Sequence, residues 1–189
     1  MPQPVLRTGR LELVPLSDAH IEFEVELDSD PLVLRYLDPR ARTREETVAA
    51  HAERLKRARR VDGLGLWVGH HRTYREPIGL WMLQPPHGPS QTFVAGEADL
   101  GFRLPRRNWR QGYASEGARE LLRYGFEDLG LTRIFGQTMA VNRPSRATLE
   151  SLGMSYVRAF HETFDEPVPG TEHGEVEYEI RRTDWLRPA

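Results

Sequence analysis

The sequence predicts a mixed α/β (α+β) fold on three observations. Strand and helix periodicities alternate along the whole chain, no repeat or low-complexity linker interrupts them, and a glycine-bearing turn at 108–126 opens a strongly amphipathic helix. A chain of 189 residues is long enough for one well-buried core and short for two, so residues 1–189 are expected to form a single domain. Residues 10–15 alternate apolar and polar as a first strand. Ser17 or Asp18 caps a short helix through Leu27, and 31–37 add another turn or two. Thr43 and Glu46 form a capping box for a helix running to about Arg60, with Val48, Ala52, Leu55 and Arg59 at helical spacing. Residues 64–71 and 78–84 read as an antiparallel hairpin, followed by a Pro/Gly-rich loop at 85–90. A fourth strand covers 96–104. In the helix after the turn, Ala114, Ala118, Leu121, Leu122, Gly125 and Leu129 share one face, and Gly130 is its exit. Residues 133–140 form the next strand, 144–152 a helix with Pro144 in its first turn and Gly153 behind it, and 154–164 with 175–182 a closing hairpin.

Composition narrows the function classes. With 39% hydrophobic and 29% charged residues and a mean hydropathy of -0.58, the chain reads as soluble, and no apolar run approaches the roughly 18 residues of a membrane span. The start of the chain lacks the basic and apolar regions of a signal peptide, so cytoplasm is expected. Zero cysteines exclude disulfides, thiolate nucleophiles and cysteine zinc sites. The histidines do not suggest a metal either, since His70 and His71 are adjacent on a strand and point to opposite faces. A net charge of -2 argues against a general nucleic-acid binder. Charge is segregated instead. Arg103, Arg106, Arg107 and Arg110 crowd the turn, while residues 161–179 hold seven acids and no lysine or arginine. One end suits a polyanionic cofactor and the other a cationic acceptor. Lys56 is the sole lysine, which points to a GC-rich bacterial genome.

The turn has the chemistry of a phosphate site. The first N–H groups of a helix have no intrahelical partner and carry partial positive charge, and Gly112 lets a ligand approach the backbone. Gly112, Ala114 and Gly117 approximate a dinucleotide fingerprint, but the next strand ends in Val141 and Asn142 with no acid for a ribose. No Gly-Lys-Ser/Thr follows, which excludes a Walker loop.

Four short motifs in order resemble the GNAT N-acetyltransferase superfamily, in the subgroup that includes ribosomal-protein N-terminal acetyltransferases. Leu100-Gly101-Phe102-Arg103-Leu104 is similar to the strand before that family's acyl-CoA pyrophosphate loop. Trp109-Arg110-Gln111-Gly112-Tyr113-Ala114-Ser115-Glu116 is similar to the loop itself, and Asn142-Arg143-Pro144-Ser145 with Leu152-Gly153-Met154 to the later helix. The first motif is Arg7-Thr8-Gly9-Arg10-Leu11, so the likeness spans nearly the whole chain. It implies a mostly antiparallel twisted sheet of about seven strands in the order β-α-α-β-β-β-α-β-α-β-β, and acetyl-CoA as co-substrate with no metal. Cofactor contacts would fall to Phe102, Arg103, Leu104, Arg110, Gln111, Gly112, Tyr113, Ala114, Ser115 and Asn142. Trp109 stands where the family usually has Arg or Gln, which leaves pyrophosphate contacts to backbone and neighbours. Leu149 stands where many members carry a tyrosine acid.

Acetyl transfer to an amine needs a neutral nucleophile, an oxyanion donor and an acid for the departing thiolate. The resemblance implies a bulge at Gly101 that frees a backbone N–H near Phe102 to Leu104 for the oxyanion. Ser145 is the expected acid, because it starts a helix whose dipole eases a thiolate nearby; otherwise it is a first-turn serine. Asn142 bonds the pantetheine amides, caps the helix, or does both. Glu97 and Asp99, two apart on a strand, face one side and are candidate bases through a water, or surface charges. Base help matters less for an α-amine, with pKa near 8, than for lysine near 10.4, a gap of about 3.5 kcal/mol. Trp67, Trp81 and Met82 line an acceptor pocket or belong to the core. The expected acceptor is a protein N-terminus or a small cationic amine, and pairing with a second copy stays open. The alternative is a non-catalytic CoA-binding regulatory domain.

Overall fold

The computed structural model describes residues 2–58, 60–86, 88 and 91–186. Arg59 of the expected helical stripe, and His87, Pro89 and Ser90 of the expected loop, lie outside them. Among the described residues eight strands form one sheet: β1 (Leu6–Arg7), β2 (Leu11–Pro15), β3 (Gly65–His71), β4 (Pro77–Gln84), β5 (Glu97–Arg103), β6 (Arg133–Met139), β7 (Ser155–Phe160) and β8 (Glu175–Arg181). Their spatial order is β1-β2-β3-β4-β5-β6-β8-β7. All neighbours are antiparallel except β5 and β6. The count exceeds the expected seven because Leu6 and Arg7 pair with Leu13 and Glu12. The closing hairpin forms as expected, and β8 rather than β7 sits beside β6.

Helices α1 (Ile21–Ser29), α2 (Pro31–Leu34) and α3 (Arg44–Ala58) pack on one face. A 3₁₀ turn at Asp18–His20, capped at Ser17, leads into α1. The capping box at the head of α3 is formed: Glu46 N–H donates to Thr43 Oγ1 at 3.2 Å, and Thr43 N–H to Glu46 Oε2 at 2.8 Å. Helices α4 (Tyr113–Arg123) and α5 (Arg143–Ser151) lie on the other face, and a one-turn α6 (Arg182–Trp185) follows β8.

Each sheet face has its own apolar cluster. On the α4 side, Trp67, Trp81, Leu83, Leu100, Leu121 and Ile134 pack together; on the α1–α3 side, Leu16, Phe23, Leu27, Leu66, Val68 and Leu80 do. Trp67 and Trp81 are fully buried, their indole N–H groups donating to Pro4 O at 2.9 Å and Ala114 O at 3.1 Å, so both are core. Met82 packs on the opposite face. The helix after the turn is α only to Arg123 and becomes a π turn at Tyr124–Asp128 before Gly130 ends it at φ +68°. That turn buries both Tyr124 and Phe126 and sends the Tyr124 hydroxyl to Gly63 O at 3.0 Å.

Candidate active site

The head of α4 opens on a glycine turn, as the sequence predicts. Gly112 is its N-cap with φ +79°, a conformation that favours glycine, and Glu116 N–H is bonded to Gly112 O at 3.0 Å. The N–H groups of Tyr113, Ala114 and Ser115 therefore have no intrahelical partner. A cleft of about 510 Å³ opens there between Thr8, Arg10, Gly112, Ser115 and Arg119. Arg10 is a residue that sequence reasoning missed. Its guanidinium lies 4.3 Å over the Tyr113 ring, donates to Gln111 O at 3.0 Å, and is held by Glu116 Oε2 at 2.6 Å. Burial would raise the Glu116 carboxyl, but hydrogen bonds from Thr8 and Arg10 outweigh it and hold the group below the usual carboxylate range. The opening Arg7-Thr8-Gly9-Arg10 motif was the available signal.

The arginine cluster does something other than expected. Arg103 is buried and pairs with Asp28 at 2.5 Å, Arg106 pairs with Asp30 at 2.7 Å, and Arg107 pairs with Glu26. Three of the four are thus neutralised, two by α1 and one by Asp30 at the head of α2, and only Arg110, exposed at φ +58°, pairs with no carboxylate among the described residues. The acid run at 22–30 was visible in sequence as their complement. Burial pushes the Arg103 guanidinium down to about 10 despite Asp28. Its side chain points to the face away from α4, which leaves only its backbone for a cofactor. Gln111 Nε2 is committed to Arg107 O at 2.7 Å, and Ser115 Oγ lies 3.3 Å from Ser151 Oγ.

A slot opens between the two parallel strands. β5 and β6 pair only at Glu97 with Arg133, Ala98 with Ile134 and Asp99 with Phe135, and beyond that they diverge. Against β4, β5 runs in unbroken register from Asp99 to Arg103, so the expected bulge at Gly101 is absent. The divergence itself leaves the β6-facing edge of β5 beyond Asp99 without a strand partner among the described residues, so bare backbone groups do not require a bulge. Leu149 and Gly136 close the bottom of the slot: a Cβ on Gly136 would lie 3.1 Å from both Leu100 O and Leu149 Cδ2. The mouth is flanked by the start of α5. There Asn142 Oδ1 accepts from Ser145 N–H at 3.3 Å and Asn142 Nδ2 donates to Thr138 Oγ1 at 3.0 Å, so Asn142 caps the helix. Ser145 is half-buried in the first turn.

The two candidate bases are separated by their partners. Glu97 accepts from Arg133 Nη1 at 2.7 Å, and the same guanidinium holds Glu177 and Glu179, each at 2.5 Å. Among the described residues Asp99 meets no cation. Its Oδ2 accepts from Gln91 Nε2 at 3.2 Å, and burial, with Glu177 adding repulsion, pushes its carboxyl up to about 7 against that bond. Asp99 lies in the central strand rather than at an edge, on the face away from α4. Further along that face, burial and then Glu162 push Glu175 up to about 7. The acidic run of the closing hairpin is therefore partly neutralised, at Glu177 by Arg133 and Arg158 and at Glu179 by Arg133 and Arg181. Among the described residues no three His, Asp or Glu converge as a metal set, and no helix is long and apolar enough to cross a membrane.

A first turn at α4 whose N–H groups have no intrahelical partner, the divergence of β5 from β6, and a carboxyl that meets no cation among the described residues suit an acyl-CoA and a nucleophile approaching from opposite faces. Comparisons agree. The family model described as "Acetyltransferase (GNAT) domain" matches residues 10–155. The chain is 43% identical over 98% of its length, and 79% of the relative's, to a protein of Aspergillus fumigatus named FsC-acetyl coenzyme A-N(2)-transacetylase. In fold it is similar to a spermidine N-acetyltransferase from Vibrio cholerae in complex with CoA and spermine (TM-score 0.77, 16% identity, 95% and 100% of the two chains). It is equally similar to RimL, a ribosomal L7/L12 α-N-protein acetyltransferase in complex with CoA (TM-score 0.77, 16% identity, 94% and 98%). The chain belongs to the GNAT family of acetyltransferases, which draw their acetyl group from acetyl-CoA.

Proposed function

We propose that this enzyme transfers the acetyl group of acetyl-CoA directly to a primary amine within a ternary complex, with Asp99 as the base. The observation that carries this is the place of Asp99: it is the last residue of β5 paired before β5 and β6 diverge, it accepts from Gln91 and meets no cation among the described residues, and burial pushes its carboxyl up to about 7. A base poised near the working pH combines a useful ionised fraction with basicity. Glu97 is tied to Arg133 and serves as structure. Acetyl-CoA supplies the activated thioester. The N–H groups of Tyr113 to Ser115 with Arg10 and Arg110 hold its phosphates, and the backbone at the end of β5 and just beyond it, from Phe102 to Leu104, faces the acyl chain and carbonyl oxygen. Asp99, through a water, takes the proton that the amine sheds, and the Ser145 hydroxyl returns one at the departing sulfur.

The name of the Aspergillus relative, an N(2)-transacetylase, and the spermine in the Vibrio structure support a nitrogen acceptor. Asp99 and Glu175, which meet no cation among the described residues, favour a small cationic amine or an α-amine over an anion. The test is a panel of amines with acetyl-CoA, read by release of free thiol, for wild type and Asp99→Asn. Turnover should fall by about 10² or more in the variant while CoA affinity holds. CoA binding without thiol release from any amine would favour the regulatory alternative.

A further inference from the structure

On the α1–α3 face, the end of β4 places Gln84 directly across from Asp99, since the two are register partners. Partners in an antiparallel pair project from the same face with Cβ atoms about 5 Å apart. Gln84 is 2% exposed, and its Nε2 has no hydrogen-bond partner among the described residues. Its surroundings are otherwise well satisfied: Gln91 Nε2 reaches both Asp99 Oδ2 (3.2 Å) and Gln137 Oε1 (2.8 Å), and Gln137 Nε2 reaches Glu177 Oε2 (2.9 Å). Glu177 is in turn fixed by Arg133 and Arg158. The relay ends on Asp99, and one buried donor beside it is left over. Buried amides almost always have a partner, so a donor left without one among the described residues, next to a candidate base, is placed to bond an incoming ligand.

We propose that Gln84 selects the acceptor: it donates to an oxygen on the carbon next to the one bearing the amine, so the preferred substrates are 2-amino carbonyl compounds. This rests on the amine-transfer reading above, with Asp99 taking the nitrogen. The two side chains offer an acceptor and a donor side by side. A nitrogen donor with a neighbouring carbonyl oxygen matches both, as in an α-amino amide or ester. A simple alkylamine, or the side-chain amine of lysine, matches only Asp99 and leaves Gln84 buried and unpaired. A site built to hydrogen-bond one group penalises the analogue that lacks it. The loop between β4 and β5 brings Gln91 over this corner, so its bond to Asp99 is the contact that an incoming ammonium replaces.

The experiment compares alaninamide with sec-butylamine, of similar size, as acceptors for wild type and Gln84→Met, which keeps the shape and removes the donor. The ratio of the two kcat/KM values in wild type, divided by that ratio in the variant, cancels the basicities of the amines. It should be at least about tenfold, carried by KM, with CoA affinity unchanged. A second arm needs no variant. Calorimetry of wild type with CoA should show N-acetylalaninamide binding at least about tenfold tighter than N-sec-butylacetamide, both products being uncharged. Equal ratios in the two enzymes, or equal affinities for the two products, overturn the assignment of Gln84 while leaving the amine-transfer reading intact. Absence of thiol release with every amine overturns that reading instead, and the product affinities still decide Gln84.

Discussion

Two residues apart on one strand, Glu97 and Asp99 share a face but differ in what stands across from them, and this decides their chemistry. Arg133 reaches Glu97 and not Asp99. The raised carboxyl of Asp99 has two consequences of opposite sign. As a base it works only when ionised, so kcat/KM should fall as pH drops through about 7, and that limb should vanish in Asp99→Asn but persist in Glu97→Gln. In stability, a carboxyl raised above its unfolded value favours the fold fully only below the unfolded pKa, and the benefit is lost as pH rises through 7. Asp99→Asn should therefore melt above wild type at pH 8, by roughly 1–3 kcal/mol, with the gap closing toward pH 4. A variant that melts at or below wild type at both pH values would show that the ionised group is not under strain in the fold. Ser145→Ala should lower kcat by about 10² with CoA binding nearly intact; unchanged turnover, measured where chemistry limits, would return Ser145 to a plain first-turn residue.

At the scale of elements, α4 joins cofactor binding to packing through two glycines with different tasks. Gly112 sits at φ +79° beside the free N–H groups, so Gly112→Asp adds strain and a negative charge where the phosphates lie. CoA affinity should weaken at least tenfold in a folded variant, and calorimetry reading wild-type affinity would remove the site from this turn. Gly117 faces the core: a Cβ there would lie 2.5 Å from Trp81 Cε2, a rigid and fully buried ring that cannot yield. Gly117→Ala should cost about 1–3 kcal/mol by overpacking, visible as a lower melting temperature. Local features such as these were legible in the sequence. The capping box at Thr43, the glycine entry and exit of α4 and Pro144 in the first turn of α5 depend on residues a few positions apart. The π turn was not, because it arises where Tyr124 and Phe126 must both reach the core.

For the whole molecule, what sequence left hidden is pairing across long separations, and the largest case is the charged layer between α1, α3 and β5. Asp28, fully buried, takes Arg103 of β5 at 2.5 Å and Arg54 of α3 at 3.1 Å, with Arg42 at 3.7 Å. Glu24, also fully buried, takes Arg54 and His51, whose other nitrogen meets Asp18 at 3.1 Å. In sequence the arginines before α4 read as phosphate ligands because their partners lie some 75 residues away. Folded, they tie α1 to the strand and loop that present the cofactor site, so breaking the layer should be felt in stability and in CoA binding together. Removing one partner of a buried pair typically costs 3–5 kcal/mol, since the other charge remains buried. Asp28→Asn should strand Arg103 in this way and lower Tm by about 10 °C, given roughly 2–4 °C per kcal/mol at this size, and weaken CoA severalfold through the β5–α4 connection. Asp30→Asn, which breaks only the more exposed pair with Arg106, should cost less than about 1 kcal/mol. The measurement is thermal unfolding of both variants with and without CoA. If Asp28→Asn melts as little below wild type as Asp30→Asn does, the layer is a set of independent pairs and does not brace the site.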